Sequence, residues 1–213
     1  MLNIEKRIVG ALSANCYAVY CNETREGIII DPGANLRKIT EMIDELEIKL
    51  TAVVLTHCHF DHALHADDIR KQYNVPIIIY KDENRLLESD LHNLSASFMS
   101  RPFEFSADKL VSDGDEIEIG NSKLTVIHTP GHTEGSMSLY GEGILISGDT
   151  LCEGTHGRTD FSTGCEEELA HSIEKLFELP DVTVVYSGHG RKTTIGDEKK
   201  MNYMANMLIE RYK

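Results

Sequence analysis

The 213 residues contain no apolar run approaching the roughly 18 or more needed to cross a bilayer, so no membrane partner is expected. Positive charge is scarce: 21 Lys and Arg stand against 35 Asp and Glu, for a formal net charge of −14. Such a surface repels phosphate backbones, which makes nucleic acid an unsuitable partner. A small anionic substrate would need a locally basic cleft, for which Arg158, Arg191 and Lys192 are the available cations. Cysteine is sparse and odd in number, with five residues at irregular spacing, a poor framework for disulfides. Met1 to Gly10 alternates apolar and polar residues around Glu5, Lys6 and Arg7. It lacks the apolar core of an export signal and reads as a first strand. Free thiols and a cytoplasmic location are therefore the expectation. No repeat, low-complexity segment or linker interrupts the chain, and its length suits one substantial core, so residues 1–213 are expected to form a single domain.

The patterns that are present alternate between strand and helix. Residues 15–21 and 27–30 are β-type runs separated by a break at 22–26. Leu36, Ile39, Met42, Ile43 and Leu46 carry the three-four spacing of an amphipathic helix over 36–47. The apolar run 50–55 predicts a strand, followed by a helix over about 61–73, a strand at 76–80 and a helical stretch at 81–89. Residues 90–107 have no clean period and are expected to form a mobile flap. Strands return at 116–119, 123–128, 136–140, 143–147 and 182–186. Thr163 with Glu166 resembles a capping box for a helix ending near 177, and a last helix is expected over about 197–212. The fold class is α/β (α+β), with two sheets face to face and helices outside.

The run His57-Cys58-His59-Phe60-Asp61-His62 follows one of these strands, and His132, Asp149 and His189 stand alone after later ones. Five of the ten histidines fall in this set. Just past a strand, residues two apart point the same way, so His57 and His59 reach one ion together while Asp61 and His62 are aimed at a second. Imidazole with carboxylate is the donor mixture of a catalytic zinc site, and iron or manganese also suits it. Each isolated ligand follows glycine, which lets the backbone pass close to an ion.

In these motifs the chain resembles the metallo-β-lactamase superfamily, whose signature is His-x-His-x-Asp-His followed by an isolated His, Asp and His. It is most similar to short glyoxalase II-like (hydroxyacylglutathione hydrolase-like) enzymes. The matching stretches are 15–17, 31–33, 56–62, 129–136, 148–150, 157–161, 188–190 and 193–196. The resemblance implies an αββα sandwich of two mixed sheets flanked by helices. It implies that His57, His59 and His132 hold one divalent ion, that Asp61, His62 and His189 hold the other, and that Asp149 bridges them, the ions being zinc, with iron or manganese as alternatives. A hydroxide between two such ions would attack an acyl carbonyl, a thioester above all because its thiolate leaves readily. Asp61 is also expected to orient that nucleophile. Only 24 residues (213 − 189) follow His189, so the C-terminal helical domain with which full glyoxalase II enzymes bind glutathione is not expected.

Four further residues are candidates near the site. Asp31 is placed to orient a metal-binding histidine, and His65, one turn beyond His62, is a candidate second contact or a surface residue. Arg158 and Asp160 are expected to form a buried structural pair near Asp149. Cys58, between two ligands, should point away into the core. The Gly-Arg-Thr-Asp-Phe run at 157–161 also resembles persulfide dioxygenases, which would use one iron on His57, His132 and Asp149. A lactonase of the same fold is the other alternative.

Overall fold

A computed structural model describes residues 1–213. In chain order its strands are β1 (Leu2–Val9), β2 (Ala14–Cys21), β3 (Glu26–Ile30), β4 (Lys49–Val54), β5 (Ile77–Tyr80), β6 (Lys109–Val111), β7 (Glu116–Ile119), β8 (Ser122–His128), β9 (Met137–Gly141), β10 (Ile144–Gly148), β11 (Leu151–Cys152), β12 (Thr155–His156), β13 (Val184–Ser187) and β14 (Thr193–Thr194). The helices are α1 (Leu36–Glu45), α2 (Phe60–Ala63), α3 (Ala66–Tyr73), α4 (Asn84–Leu87), α5 (Ser95–Phe98), α6 (Glu166–Phe177), α7 (Ile195–Met201) and α8 (Tyr203–Arg211). Strands β1 to β6 lie side by side in sequence order, antiparallel from β1 to β3 and parallel from β3 to β6. The second sheet runs β14-β13-β10-β9-β8-β7, with β10 and β13 its one parallel pair. Both sheets are mixed, as expected.

Side-chain alternation divides the interior into three layers. Ile28, Ile30, Val54 and Ile78 face the second sheet and meet Ile119, Leu124, Leu139 and Ile146 between the sheets. Their neighbours Ile29, Val53, Ile77 and Ile79 point the other way, onto Ile39, Met42 and Ile43 of α1 and Ile69 of α3. This is why strands β3 to β5 are continuous apolar runs: both faces are covered. Leu145 and Val185 carry the third layer against Leu169, Ile173 and Leu176 of α6 and Leu208 and Ile209 of α8. Helix, sheet, sheet and helix therefore stack as an αββα sandwich. No helix is long and apolar enough to cross a membrane.

Three helix expectations need correction. The helix over 61–73 is two pieces, because the His65 amide donates to Pro32 O at 2.9 Å rather than continuing the helical ladder. The last helix breaks at Asn202, whose Oδ1 accepts from Ala205 N at 2.9 Å and starts α8 afresh; asparagine competes well for such capping positions. The Thr163–Glu166 capping box does not form. Cys165 precedes α6 without a side-chain cap, and Glu166, Glu167 and Glu168 face the positive end of the helix dipole instead. Within 90–107 the chain forms one short helix, α5.

Candidate metal centre

All the candidate ligands leave the sandwich through loops that follow strands. The segment after β4 carries His57 and His59 in a loop and Asp61 and His62 on α2, while the loops after β8, β10 and β13 carry His132, Asp149 and His189. Two cross-links gather these loops at one end. Met137 N donates to Thr56 O at 2.9 Å, and Gly188 N donates to Gly148 O at 2.7 Å. Asn15 and Tyr17 of the first sheet fasten the His189 loop of the second: Asn15 Nδ2 and the Tyr17 hydroxyl both donate to Ser187 O, at 2.8 and 2.6 Å.

The donor atoms of His57, His59 and His132 lie within 4.8 Å of one another, as do those of Asp61, His62 and His189. Asp149 lies between the two groups. Its Oδ1 is 3.7 Å from His62 Nε2, and its Oδ2 is 3.6 Å from both His132 Nε2 and His189 Nε2. Asp61 Oδ2 is 3.3 Å from His189 Nε2 and 3.6 Å from His62 Nε2. His57 Nε2 and Asp149 Oδ1 are buried without any hydrogen-bond partner, an arrangement that costs free energy unless a cation satisfies them. A soft-to-borderline nitrogen triad beside a mixed nitrogen/oxygen triad fits divalent zinc, iron or manganese.

Second contacts fix the imidazole tautomers. His62 Nδ1 donates to Asp31 Oδ2 at 3.0 Å, and His132 Nδ1 donates to Arg158 O at 2.7 Å. Asp31 also accepts from Thr56 N at 2.8 Å and from the Thr56 hydroxyl at 2.6 Å, leaving that hydroxyl to accept from His57 Nδ1 at 3.1 Å. These three rings are thereby held with Nε2 turned toward the cluster.

The electrostatics separate the histidines. Burial, reinforced by neighbouring imidazoles, lowers the pKa of His57, and burial likewise lowers those of His59 and His132, so these rings are neutral. Burial also opposes charge on His62, but Asp61, Asp149 and Asp31 outweigh it and raise its pKa to about 10. Burial works against ionisation of Asp61, yet the charges of His62 and His189 hold it well below the usual carboxylate range. In the metal-free protein His62 therefore carries a proton that an incoming ion must displace. Affinity for an ion at the Asp61–His62–His189 group should therefore climb by about tenfold or more per pH unit across the neutral range, whereas the neutral rings of the three-histidine group release no proton and should show a much flatter profile. Titration with zinc at several pH values measures the slopes, and a flat profile for both ions contradicts the assignment of His62 as a ligand.

Of the tentative residues, Asp31 is buried against His62, whereas His65 donates to Asp68 Oδ2 at 2.7 Å and takes no part in the cluster. The Arg158–Asp160 pair forms, but it is not buried: its side chains are 58% and 65% exposed. Two adjacent charged residues on a surface loop have no core to enter. What reaches His132 is the backbone carbonyl of Arg158. Cys58 is fully buried in the core beneath α1 and α3, pointing away from the ligands. Two contacts escape a reading of the sequence: the Thr56 hydroxyl, and Glu83, which contacts the loops on both sides of the three-histidine group. Neither residue type signals such a role by itself.

A cleft of about 370 Å³ opens onto His59, Asp61, His132, Asp149 and His189. Leu12, Phe60, Phe98 and Phe161 form its apolar wall. The Phe161 ring lies 5.4 Å from that of His59, with the Arg158 guanidinium 4.2 Å from the centre of the Phe161 ring. Arg158 is the one Arg or Lys on this wall and is already committed to Asp160. Arg191 pairs with Glu153 at the rim, and Lys192 lies in a separate groove.

Comparison with known proteins agrees with this geometry. The family model described as "Metallo-beta-lactamase superfamily" matches residues 9–189. The "Probable metallo-hydrolase YqgX" of Bacillus subtilis is 37% identical over 204 residues, covering 93% of this chain and 95% of the relative. "Hydroxyacylglutathione hydrolase GloC" of Haemophilus influenzae is 32% identical over 210 residues, covering 96% and 99%. Among solved structures, that of the BLEG-1 B3 metallo-beta-lactamase superposes with a TM-score of 0.89 at 34% identity, covering 94% of this chain and 98% of that one. With the fold, the order of the donor loops and these likenesses in agreement, the chain belongs to the metallo-beta-lactamase superfamily.

Proposed function

We propose that this chain is a two-metal hydrolase of thioesters, glyoxalase II-like in chemistry, with the whole of residues 1–213 acting as one catalytic domain. The observation that carries the reading is the position of Asp149 between two complete triads, each with its own histidines. His57, His59 and His132 hold one ion, and Asp61, His62 and His189 hold the other. The likeness to GloC supports a hydroxyacyl thioester as substrate type. Five unpaired cysteines support a reducing, cytoplasmic setting.

A pair of divalent ions supplies, when bound, positive charge for a developing oxyanion and water acidic enough to ionise near neutral pH. The rest falls to the side chains. Asp61, ionised throughout the physiological range, accepts a hydrogen bond from the attacking water and orients it toward the carbonyl carbon. Leu12, Phe60, Phe98 and Phe161 hold the organic part of the substrate and exclude bulk water from the carbonyl. A thiolate, whose pKa is about 8.5, leaves without a general acid.

The completeness of the Asp61–His62–His189 group favours two ions over the single iron of a persulfide dioxygenase, for which these three side chains would have no task. Metal analysis of the purified protein, paired with a panel of thioesters, lactones and persulfides, tests the reading. About two ions per chain and thioester hydrolysis without oxygen uptake are expected. One iron per chain with sulfhydryl-dependent oxygen consumption overturns it, and hydrolysis confined to lactones moves the substrate class. Within the thioesters, replacing glutathione by an uncharged thiol should change kcat/KM by less than about tenfold, because a carboxylate finds no free cation in the cleft.

A further inference from the structure

Glu83 is a fully buried carboxylate with no cation facing it. It ends the 3-10 turn Lys81–Glu83 that follows β5, and backbone and hydroxyl donors from two loops satisfy it. Its Oε1 accepts from Cys58 N at 2.8 Å. Its Oε2 accepts from the Thr133 hydroxyl at 2.8 Å and from Gly135 N at 3.0 Å. One oxygen thus serves each of two loops. Cys58 sits between His57 and His59, and Thr133 directly follows His132. The two loops come from different sheets, and their histidines are the three nitrogen donors that converge on one point. Gly135 makes the approach possible, since a Cβ there would lie 2.4 Å from Glu83 N.

Burying a carboxylate without a counter-charge is costly, so a link needed only for packing is better made by a neutral side chain. What the carboxylate adds is two acceptor oxygens a fixed distance apart, each able to hold a separate strand of backbone. We propose that Glu83 is a positioning residue that sets the separation of His132 from His57 and His59, and so the affinity of the three-histidine ion site. The Asp61–His62–His189 group makes no hydrogen bond to it and depends instead on Asp31. The inference rests on the two-ion reading proposed above.

The test is a zinc titration of wild-type protein, E83Q and T133A against a chromophoric chelator, with thermal unfolding of each metal-free protein alongside. Wild type should show two binding constants; a single one strikes the two-ion reading and leaves the Glu83 comparison to be made on that ion alone. Gln keeps the shape of Glu but turns one oxygen into a donor, so E83Q can hold only one of the two loops. E83Q should weaken one zinc by about 10- to 100-fold, the range for an outer contact to a ligand, and leave the other within about threefold. T133A removes a single donor and leaves the carboxylate held by both amides; it should weaken the same zinc by a smaller factor while the protein stays folded. Were E83Q to fail to fold, T133A carries the test. Equal loss at both sites in step with falling thermal stability, or no loss at either, overturns the proposal.

Discussion

Replacing Asp149 with alanine is expected to strip most of the metal from the protein and to lower kcat/KM by about three orders of magnitude, equivalent to about 4 kcal/mol of transition-state stabilisation. Three imidazole Nε2 atoms, those of His62, His132 and His189, lie within 3.6–3.7 Å of its two oxygens. No other proposed ligand lies between the two triads. Alanine leaves Asp61 as the only carboxylate among the proposed ligands and leaves two cations to repel one another across an apolar gap. Loss at the histidines is gentler, because each serves one ion. Asp149→Asn separates geometry from charge: it keeps one oxygen donor of the same length, so it should retain more metal than alanine while still losing most turnover. Elemental analysis and kinetics on the same preparations provide the measurement. Near wild-type turnover in the alanine variant, with a full complement of metal, removes the bridge from the reading.

The parts of this site legible in the sequence are those decided locally. His57, His59, Asp61 and His62 are marked by their density after an apolar strand, and His132, Asp149 and His189 by a glycine at the end of a strand. Strands β3 to β5 are legible for the same reason, since isoleucine and valine runs of that length have few other uses. What the sequence leaves open is decided by contacts between distant segments. Asp31 lies 31 residues before His62, and Glu83 lies 50 residues before Thr133. An acidic residue within Lys81-Asp82-Glu83-Asn84 looks solvated until the fold closes over it. The helix errors share this origin. Periodicity carries a helix through His65 and Asn202, but the carbonyl of Pro32 captures one amide and the Asn202 side chain captures another. The expected burial of Arg158 and Asp160 fails in the opposite sense: closeness in sequence to a ligand says nothing of depth.

The same dependence on tertiary contact makes Gly33→Ala a severely damaging small change, since among the glycines its added Cβ would meet the nearest atom. A Cβ at Gly33 would lie 1.4 Å from the Asp61 carbonyl oxygen and 2.7 Å from His62 N. These are backbone atoms of α2, which cannot turn aside as a side chain can. The Asp31–Gly33 turn must then separate from α2, taking Asp31 away from Thr56 and His62 and breaking the bond from His65 N to Pro32 O. Overpacking against backbone together with loss of a buried carboxylate's partners should cost about 3 kcal/mol or more. For a chain of this size that lowers Tm by about 6–12 °C. Gly114→Ala is the control: nothing lies within 4 Å of its Cβ, although φ is +84°, so it pays only the left-handed backbone penalty of about 1 kcal/mol. The metal consequence should be as selective as the structural one. Zinc bound through Asp61 and His62 weakens most, whereas the three-histidine group, held by Glu83 on the far side, weakens less. A Gly33→Ala protein with unchanged Tm and both zinc affinities intact would mean that α2 yields where this packing leaves it no room.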